Sequence, residues 1–357
     1  MTESATGHTR RRSAAPTTID LFAGAGGASR GLRDAGYRVV AAIEIDPDAA
    51  ASYSLNHPRV HLVADDIRSV VPGELRKRLE LGRGELTLLK ACPPCQGFST
   101  LGPGEPDDPR NDLTLEIWPF VREFLPAAFV VENVPGIHQD ERLMLLVRQS
   151  RAIGYRVRRF NVDAVEFGVP QRRRRHIVIG VASGRVRFPA HVSELVPRKF
   201  LVPAVTAGAA LSDAHSKAQR EDPLNRARVS RSETLARIRA VPIGGTRFDL
   251  PDEHQLACHR KLTRKAATGP YGRVRLEQPA PTMTTRCTTP ACGPFIHPTE
   301  DRGLTLREAA TLQTFPPSYR FVGGYDSIER QIGNAVPVRM AAALGYAVRK
   351  LLTEATR

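Results

Sequence analysis

Between Thr17 and Ala182 the chain repeats one pattern: a short apolar run, a loop of small, polar or acidic residues, then a segment with helical period. The runs are Ile19–Phe22, Val39–Ile43, His61–Val63, Leu86–Lys90, Ala128–Glu132, Tyr155–Asn161 and His176–Ala182. Helical patterns fill most of the gaps: a stretch ending near Ala35, then Pro47–Asn56, Leu113–Phe124 and Glu141–Ile153. Short apolar strands alternating with helices predict an α/β fold, a doubly wound parallel sheet with helices on both faces.

The alternation stops near Ser183. Residues 185–302 are richer in Pro, Arg and Thr, which predicts a smaller, irregular second domain. A helix resumes over Leu306–Phe315 and is broken by Pro316-Pro317; a last one follows Pro337 to about Leu352. Residues 1–16, polar and carrying Arg10–Arg12, are expected to form a disordered tail. No apolar run reaches the ~18 residues of a membrane span, and the first residues lack the apolar stretch of a signal peptide. Five cysteines are too few for a disulfide scaffold, so a cytoplasmic protein is expected.

Charge is concentrated. Of the net +15, residues 151–175 supply +6 (8 Arg against 2 acids) and residues 185–302 supply +9 (20 Lys and Arg against 11 acids), which leaves the remainder neutral. A neutral body with two basic segments is the footprint of a polyanion binder.

The chemistry-bearing motifs fall at the ends of the expected strands. Asp20-Leu21-Phe22-Ala23-Gly24-Ala25-Gly26-Gly27 joins the first strand to the first helix, where glycines let a ligand approach the backbone. Glu44 ends the second strand, 20 residues after Gly24, and suits ribose hydroxyls. These residues point to a nucleoside cofactor, with a dinucleotide and S-adenosylmethionine both open; a dinucleotide fingerprint would place a third glycine at Ser29, which lowers the NAD reading. Asp65-Asp66-Ile67 after the third strand offers an acceptor for an adenine amine.

Cys92-Pro93-Pro94-Cys95 follows the fourth strand. Zinc would need two more ligands, all distant in sequence, and the prolines disfavour a helix-opening redox pair, so no metal site is expected. A cysteine on a proline-fixed loop beside a cofactor loop fits a nucleophile. Glu132-Asn133-Val134 ends the fifth strand and would share that cleft. In Gln171-Arg172-Arg173-Arg174-Arg175, alternation puts Gln171, Arg173 and Arg175 on one face, with Arg172 and Arg174 opposite.

In this order the motifs resemble the DNA cytosine-5 methyltransferases of the bacterial modification-methylase type. They continue with Arg307-Glu308-Ala309-Ala310 through Gln313-Thr314-Phe315-Pro316, and with Gln331-Ile332-Gly333-Asn334-Ala335-Val336-Pro337. The resemblance covers about residues 17–350. It implies a Rossmann-like S-adenosylmethionine-dependent methyltransferase sheet over 17–184, a target-recognition domain over 185–327 with its variable part at 185–302, and a segment, 328–357, that returns to the catalytic domain. Pro279–Thr284 looks like the shared element near the end of the recognition domain. Cys92 stands where glycine or another small residue is more usual and is expected to be a small buried residue.

The resemblance also implies roles. Cys95 would attack C6 of cytosine, Glu132 would stabilise the adduct at N3, and Arg175, with Arg173 in support, would hold O2 or order the site. Phe22 and Ile45 would pack on the adenine of S-adenosyl-L-methionine, which leaves as S-adenosyl-L-homocysteine. Glu44 would take the ribose and Asp66 the adenine amine beside Ile67. Gly24, Gly26 and Gly27 would hold the methionine portion, and Asn334, Ala335 and Val336 would close the site. The implied substrate is a cytosine flipped out of a specific double-stranded DNA sequence, the implied protein a monomer paired with a restriction endonuclease or acting alone. Two alternatives are weighed. A tRNA-methylating enzyme would have a small insert and a Cys-Phe-Thr element after Glu-Asn-Val, whereas Pro135-Gly136-Ile137-His138 follows here. A non-catalytic DNA-binding module would have lost Cys95, Glu132 or the glycine loop, and all are present.

Overall fold

A computed structural model describes residues 15–94, 108–214, 221–260 and 269–355. Cys95 and residues 1–14 of the expected tail lie outside the described residues. Pro16, counted in the expected tail, is held in place, its carbonyl accepting from Arg38 N–H at 2.8 Å.

The first half alternates as the periodicity predicts: β1 (Thr17–Leu21), α1 (Gly27–Asp34), β2 (Arg38–Ile43), α2 (Pro47–Asn56), β3 (His61–Val63), α3 (Pro72–Arg78), β4 (Leu88–Ala91), α4 (Ile117–Phe124), β5 (Ala128–Asn133), α5 (Glu141–Ala152), β6 (Arg156–Asp163) and β7 (Arg174–Val181). The sheet order is β3-β2-β1-β4-β5-β7-β6. Strands β1 to β5 pair in parallel.

The wholly parallel sheet expected from the sequence is corrected at β7, which runs antiparallel to both β5 and β6. The link from β6 holds one 3-10 turn, Ala164–Phe167, and then an extended stretch. It is too short for the helical crossover that a parallel return requires, so β7 folds back along β6.

Alternation along the strands divides the core. Phe129 and Val131 of β5 join Ile19, Leu21, Leu89 and Val178 under α3, α4 and α5. Ala128 and Val130 join Leu88, Ile177, Ile179 and Val181 on the opposite face. That face is covered by Leu32 of α1 and by Met340, Leu344, Ala347 and Leu351 of the helix Val338–Ala355. A Cβ on Gly31 would lie 2.2 Å from Val338 O, so only glycine lets these two helices meet so closely.

The described part of 185–302 is irregular, as expected. Its helices are α6 (Ala207–Ala214), Ser232–Ala240 and Ala257–Arg260, set among 3-10 turns. Buried Arg273 stitches the loops together, donating to the carbonyls of Val241, His297, Glu300 and Ile238 and to Asp301 Oδ1. Val192, Leu195 and Phe200 pack with the sheet and the helix Val338–Ala355, whereas Leu211, Val274 and Met283 share a core with the helices Leu306–Leu312 and Tyr325–Asn334. The expected helix to Phe315 stops earlier. Thr314 turns left-handed at φ 60°, and Phe315 N–H returns to Ala310 O.

Candidate active site

The carboxyl ends of β1, β2, β4 and β5 open on one edge of the sheet, and the reversal of β7 brings its first residues to the same edge. Arg175, at the start of β7, therefore reaches Glu132, at the end of β5: Nε lies 2.8 Å from Oε1. The other carboxylate oxygen, Oε2, accepts from the Cys92 thiol at 2.7 Å. Burial, with Glu132 adding to it, pushes that thiol's pKa up, so Cys92 is a protonated donor. Asn133 reaches across as well. Its Nδ2 donates to Pro93 O at 3.2 Å and fastens the loop that leads into Cys95.

Gln171, Arg173 and Arg175 are turned inward and Arg172 and Arg174 outward, as the alternation predicts. Arg173 is buried and bonded to backbone, donating to Met283 O at 2.8 Å and Gly333 O at 3.2 Å. Burial first, then neighbouring Arg175, brings its pKa down to about 9, so it remains a cation at neutral pH. Gln171 donates to Leu312 O and Gln313 Oε1 and accepts from Met283 N–H. Gln313 in turn donates to Ile332 O and Ala335 O. This network ties the Pro279–Thr284 element and the Asn334-Ala335-Val336 turn to the start of β7. Val336 packs with Ala28 and Ala341, and Cys92 lies against them. Ala335 is half-buried and Asn334 is exposed.

The second half of the cleft is the loop after β1. Phe22 (φ 57°), Gly24 (φ 56°) and Gly26 (φ 92°) take left-handed backbone there. Gly24 N–H donates to Glu44 Oε2 at 2.7 Å, and Asp46 N–H donates to Oε1 at 2.8 Å. Burial raises the Glu44 pKa against the pull of these two N–H groups. Phe22 is half-buried and Ile45 is 63% exposed, an apolar side chain left open at the sheet edge. A Cβ on Gly24 would meet nothing within 4 Å, whereas one on Gly27 would press on Val336 O at 2.9 Å. Asp66 caps its own turn and is gripped by Arg68, which lowers its pKa. The Ile67 side chain is buried in the core beneath.

From behind, the glycine loop is clamped. Tyr319 OH donates to Ala25 O at 2.6 Å, and His57 Nε2 lies 3.2 Å from Gly26 O and 3.1 Å from Tyr319 OH. Burial, then Arg33, lowers the His57 pKa to about 4. Below the loop, Asp20 is buried between Lys90 Nζ at 2.8 Å and Ser29 Oγ at 2.7 Å, and Ser29 contacts Tyr53 OH. Ser29, where a dinucleotide fold would want glycine, thus has a polar partner on each side.

Residues 16–350 match the family model for the C-5 cytosine-specific DNA methylase. The chain belongs to that family. The methylase is 30% identical to the Type II methyltransferase M.AgeI of Thalassovita gelatinovora, over 93% of this chain and 99% of that one. It is 31% identical to the Type II methylase M.HgiDII of Herpetosiphon aurantiacus, over 94% and 95%. A solved E. coli prophage structure described as a DNA modification methyltransferase superposes with a TM-score of 0.73 at 26% identity, covering 95% of this chain and 100% of that one. The protein is therefore a DNA cytosine-5 methyltransferase.

The methylase brings together Glu132, Arg175, Val336 and the loop entering Cys95 on one side, and Phe22, Gly24, Glu44 and Ile45 on the other. Asp66 follows β3, the strand beside β2, and is paired with Arg68. Sequence reasoning missed the Cys92 contact, Asn133 as a loop anchor, and the His57–Tyr319 clamp. It also missed Lys90, although a lysine ending an apolar strand is a signal, because a buried cation needs a partner.

Proposed function

We propose that this methylase moves a methyl group from S-adenosylmethionine to C5 of a cytosine flipped from a specific duplex DNA sequence, through a covalent bond between Cys95 and C6. The observation that carries the reading is the Glu132 carboxylate, held by Arg175 and Cys92 at the edge of the sheet beside the loop that leads into Cys95.

The cleft suits the donor. Gly24 leaves open space over the loop, Glu44 has lone pairs beyond its two backbone partners, and Ile45 offers an apolar face to a base. When bound there, S-adenosylmethionine supplies an electrophilic methyl on sulfur. The protein does the rest. Cys95 adds as thiolate to C6, which makes C5 nucleophilic, and Glu132 supports the ring at N3. Arg175 keeps Glu132 in place, and Arg173 holds the strand start that carries Arg175. After methylation, loss of the C5 proton restores the ring and expels Cys95.

Residues 185–302 read the sequence, and the basic segments bind the DNA backbone. The kinship with Type II methyltransferases favours a restriction-modification or solitary modification role, in a monomer resident in the cytoplasm. Among the described residues no helix is long and apolar enough to cross a membrane. Tritium transfer from labelled cofactor tests the substrate class: DNA is labelled and tRNA is not. A duplex with 5-fluorocytosine at the target should trap a covalent adduct with wild type and with Cys92→Ser, but none with Cys95→Ser. An adduct mapped to Cys92 refutes this mechanism.

A further inference from the structure

The Glu132 carboxylate is held from three elements. β5 carries it, β7 supplies Arg175 to Oε1, and the end of β4 supplies Cys92 to Oε2. A carboxylate bonded at one oxygen can still swing about its terminal torsion, which is broad in the absence of a second contact. The ion pair with Arg175 restrains Oε1 and the hydrogen bond from the thiol holds Oε2, and the two together restrict its plane. Cys92 has no other polar role among the described contacts of its side chain, and it packs on Ala28, Val336 and Ala341, small residues that leave it in place. Its backbone N–H is separately tied to Leu21 O at 3.3 Å, which fixes the backbone that carries the thiol.

We propose that Cys92 is a positioning residue for Glu132, and that its thiol, together with Arg175, sets the orientation in which the carboxylate meets the cytosine ring. The inference rests on the function proposed above, in which Glu132 acts on the base. Glycine or alanine at this position would leave Oε2 without its protein donor. Serine would keep one, since its hydroxyl still reaches an acceptor that lies 2.7 Å from the sulfur.

The test is single-turnover methyl transfer from tritiated S-adenosylmethionine to genomic DNA from a methylation-free host, with cofactor affinity and melting temperature measured alongside. Cys92→Ala should slow the methylation step by about tenfold, the order expected for a lost hydrogen bond to a charged group. It should leave cofactor affinity unchanged. Cys92→Ser should restore the rate to within about threefold of wild type, since the donor is kept. If Cys92→Ala proves unstable, Cys92→Gly is read in the same way. Cys92→Ala as fast as wild type, or Cys92→Ser as slow as Cys92→Ala, overturns the assignment. Glu132→Gln is run in parallel. If it is inactive, either of those outcomes touches Cys92 alone; if it is fully active, the reading of Glu132 falls and the role of Cys92 falls with it.

Discussion

Arg175 Nε stands 2.8 Å from Glu132 Oε1 because β7 runs against β5. A parallel β7 would start at the opposite edge of the sheet and carry Arg175 away from the cleft. The reversal of one strand therefore assembles the charged half of the candidate site, and it follows from the short link between β6 and β7.

That pair is nearly dry, so removing one partner should be costly. Arg175→Ala leaves a buried carboxylate without its cation, and a loss of about 3–5 kcal/mol of stability is expected. Methyl transfer should fall with it. Arg175→Lys keeps the charge but loses the planar guanidinium, and should recover stability more than rate. Denaturant melts and single-turnover rates on the two variants check this; equal rates in Arg175→Lys and wild type would count against the geometry.

Glu44→Ala should weaken cofactor binding by about 1.5–3 kcal/mol while DNA binding is unchanged, since a hydrogen bond to a charged group is lost. Asp66→Ala should weaken it less, because Arg68 already engages that carboxylate. Calorimetry with S-adenosylhomocysteine separates the two. Unchanged affinity in both removes these residues from the site.

His57 links pH to stability. Its folded pKa is about 4 against an ordinary 6.5, so the unfolded chain binds the proton more readily. The stabilisation is complete above about pH 6.5 and is lost as pH falls towards 4, a span worth about 3 kcal/mol. His57→Gln should show a shallower fall of melting temperature between pH 7 and 4 than wild type. Parallel curves would mean that His57 is not the group responsible.

The net +15 lies in residues 151–175 and 185–302, so DNA affinity should drop steeply with salt. A plot of log K against log salt with a slope near zero would place those segments away from the phosphates. Exchange of 185–302 for the same segment of a relative with another target should move the methylated sequence, as read by methylome sequencing.

The strand-end motifs were legible because each is local: a glycine loop, a proline pair and an acid at a strand end all lie within a few residues. The inward face of Gln171, Arg173 and Arg175 was legible for the same reason, since period-two alternation needs no knowledge of partners. The direction of β7 was not, because an apolar run reads alike both ways and only the spatial order of strands decides it. Nor was the Cys92–Glu132 contact, which joins the ends of two strands whose pairing the sequence only suggests. The clamp of His57 and Tyr319 spans most of the chain, and neither residue stands in a motif.

Gly31 gives α1 a surface flat enough for the backbone of Val338 to rest on it. α1 is thus seated against the last helix described, which shares its core with Leu88 and Val130 of the sheet. This side of the sheet therefore rests on a contact of long sequence separation, the kind that slows folding. Val336, which flanks the thiol of Cys92, is held by the same packing against Ala28 and Ala341. Loss of the fit at Gly31 would therefore loosen the surroundings of Cys92 together with that face of the sheet.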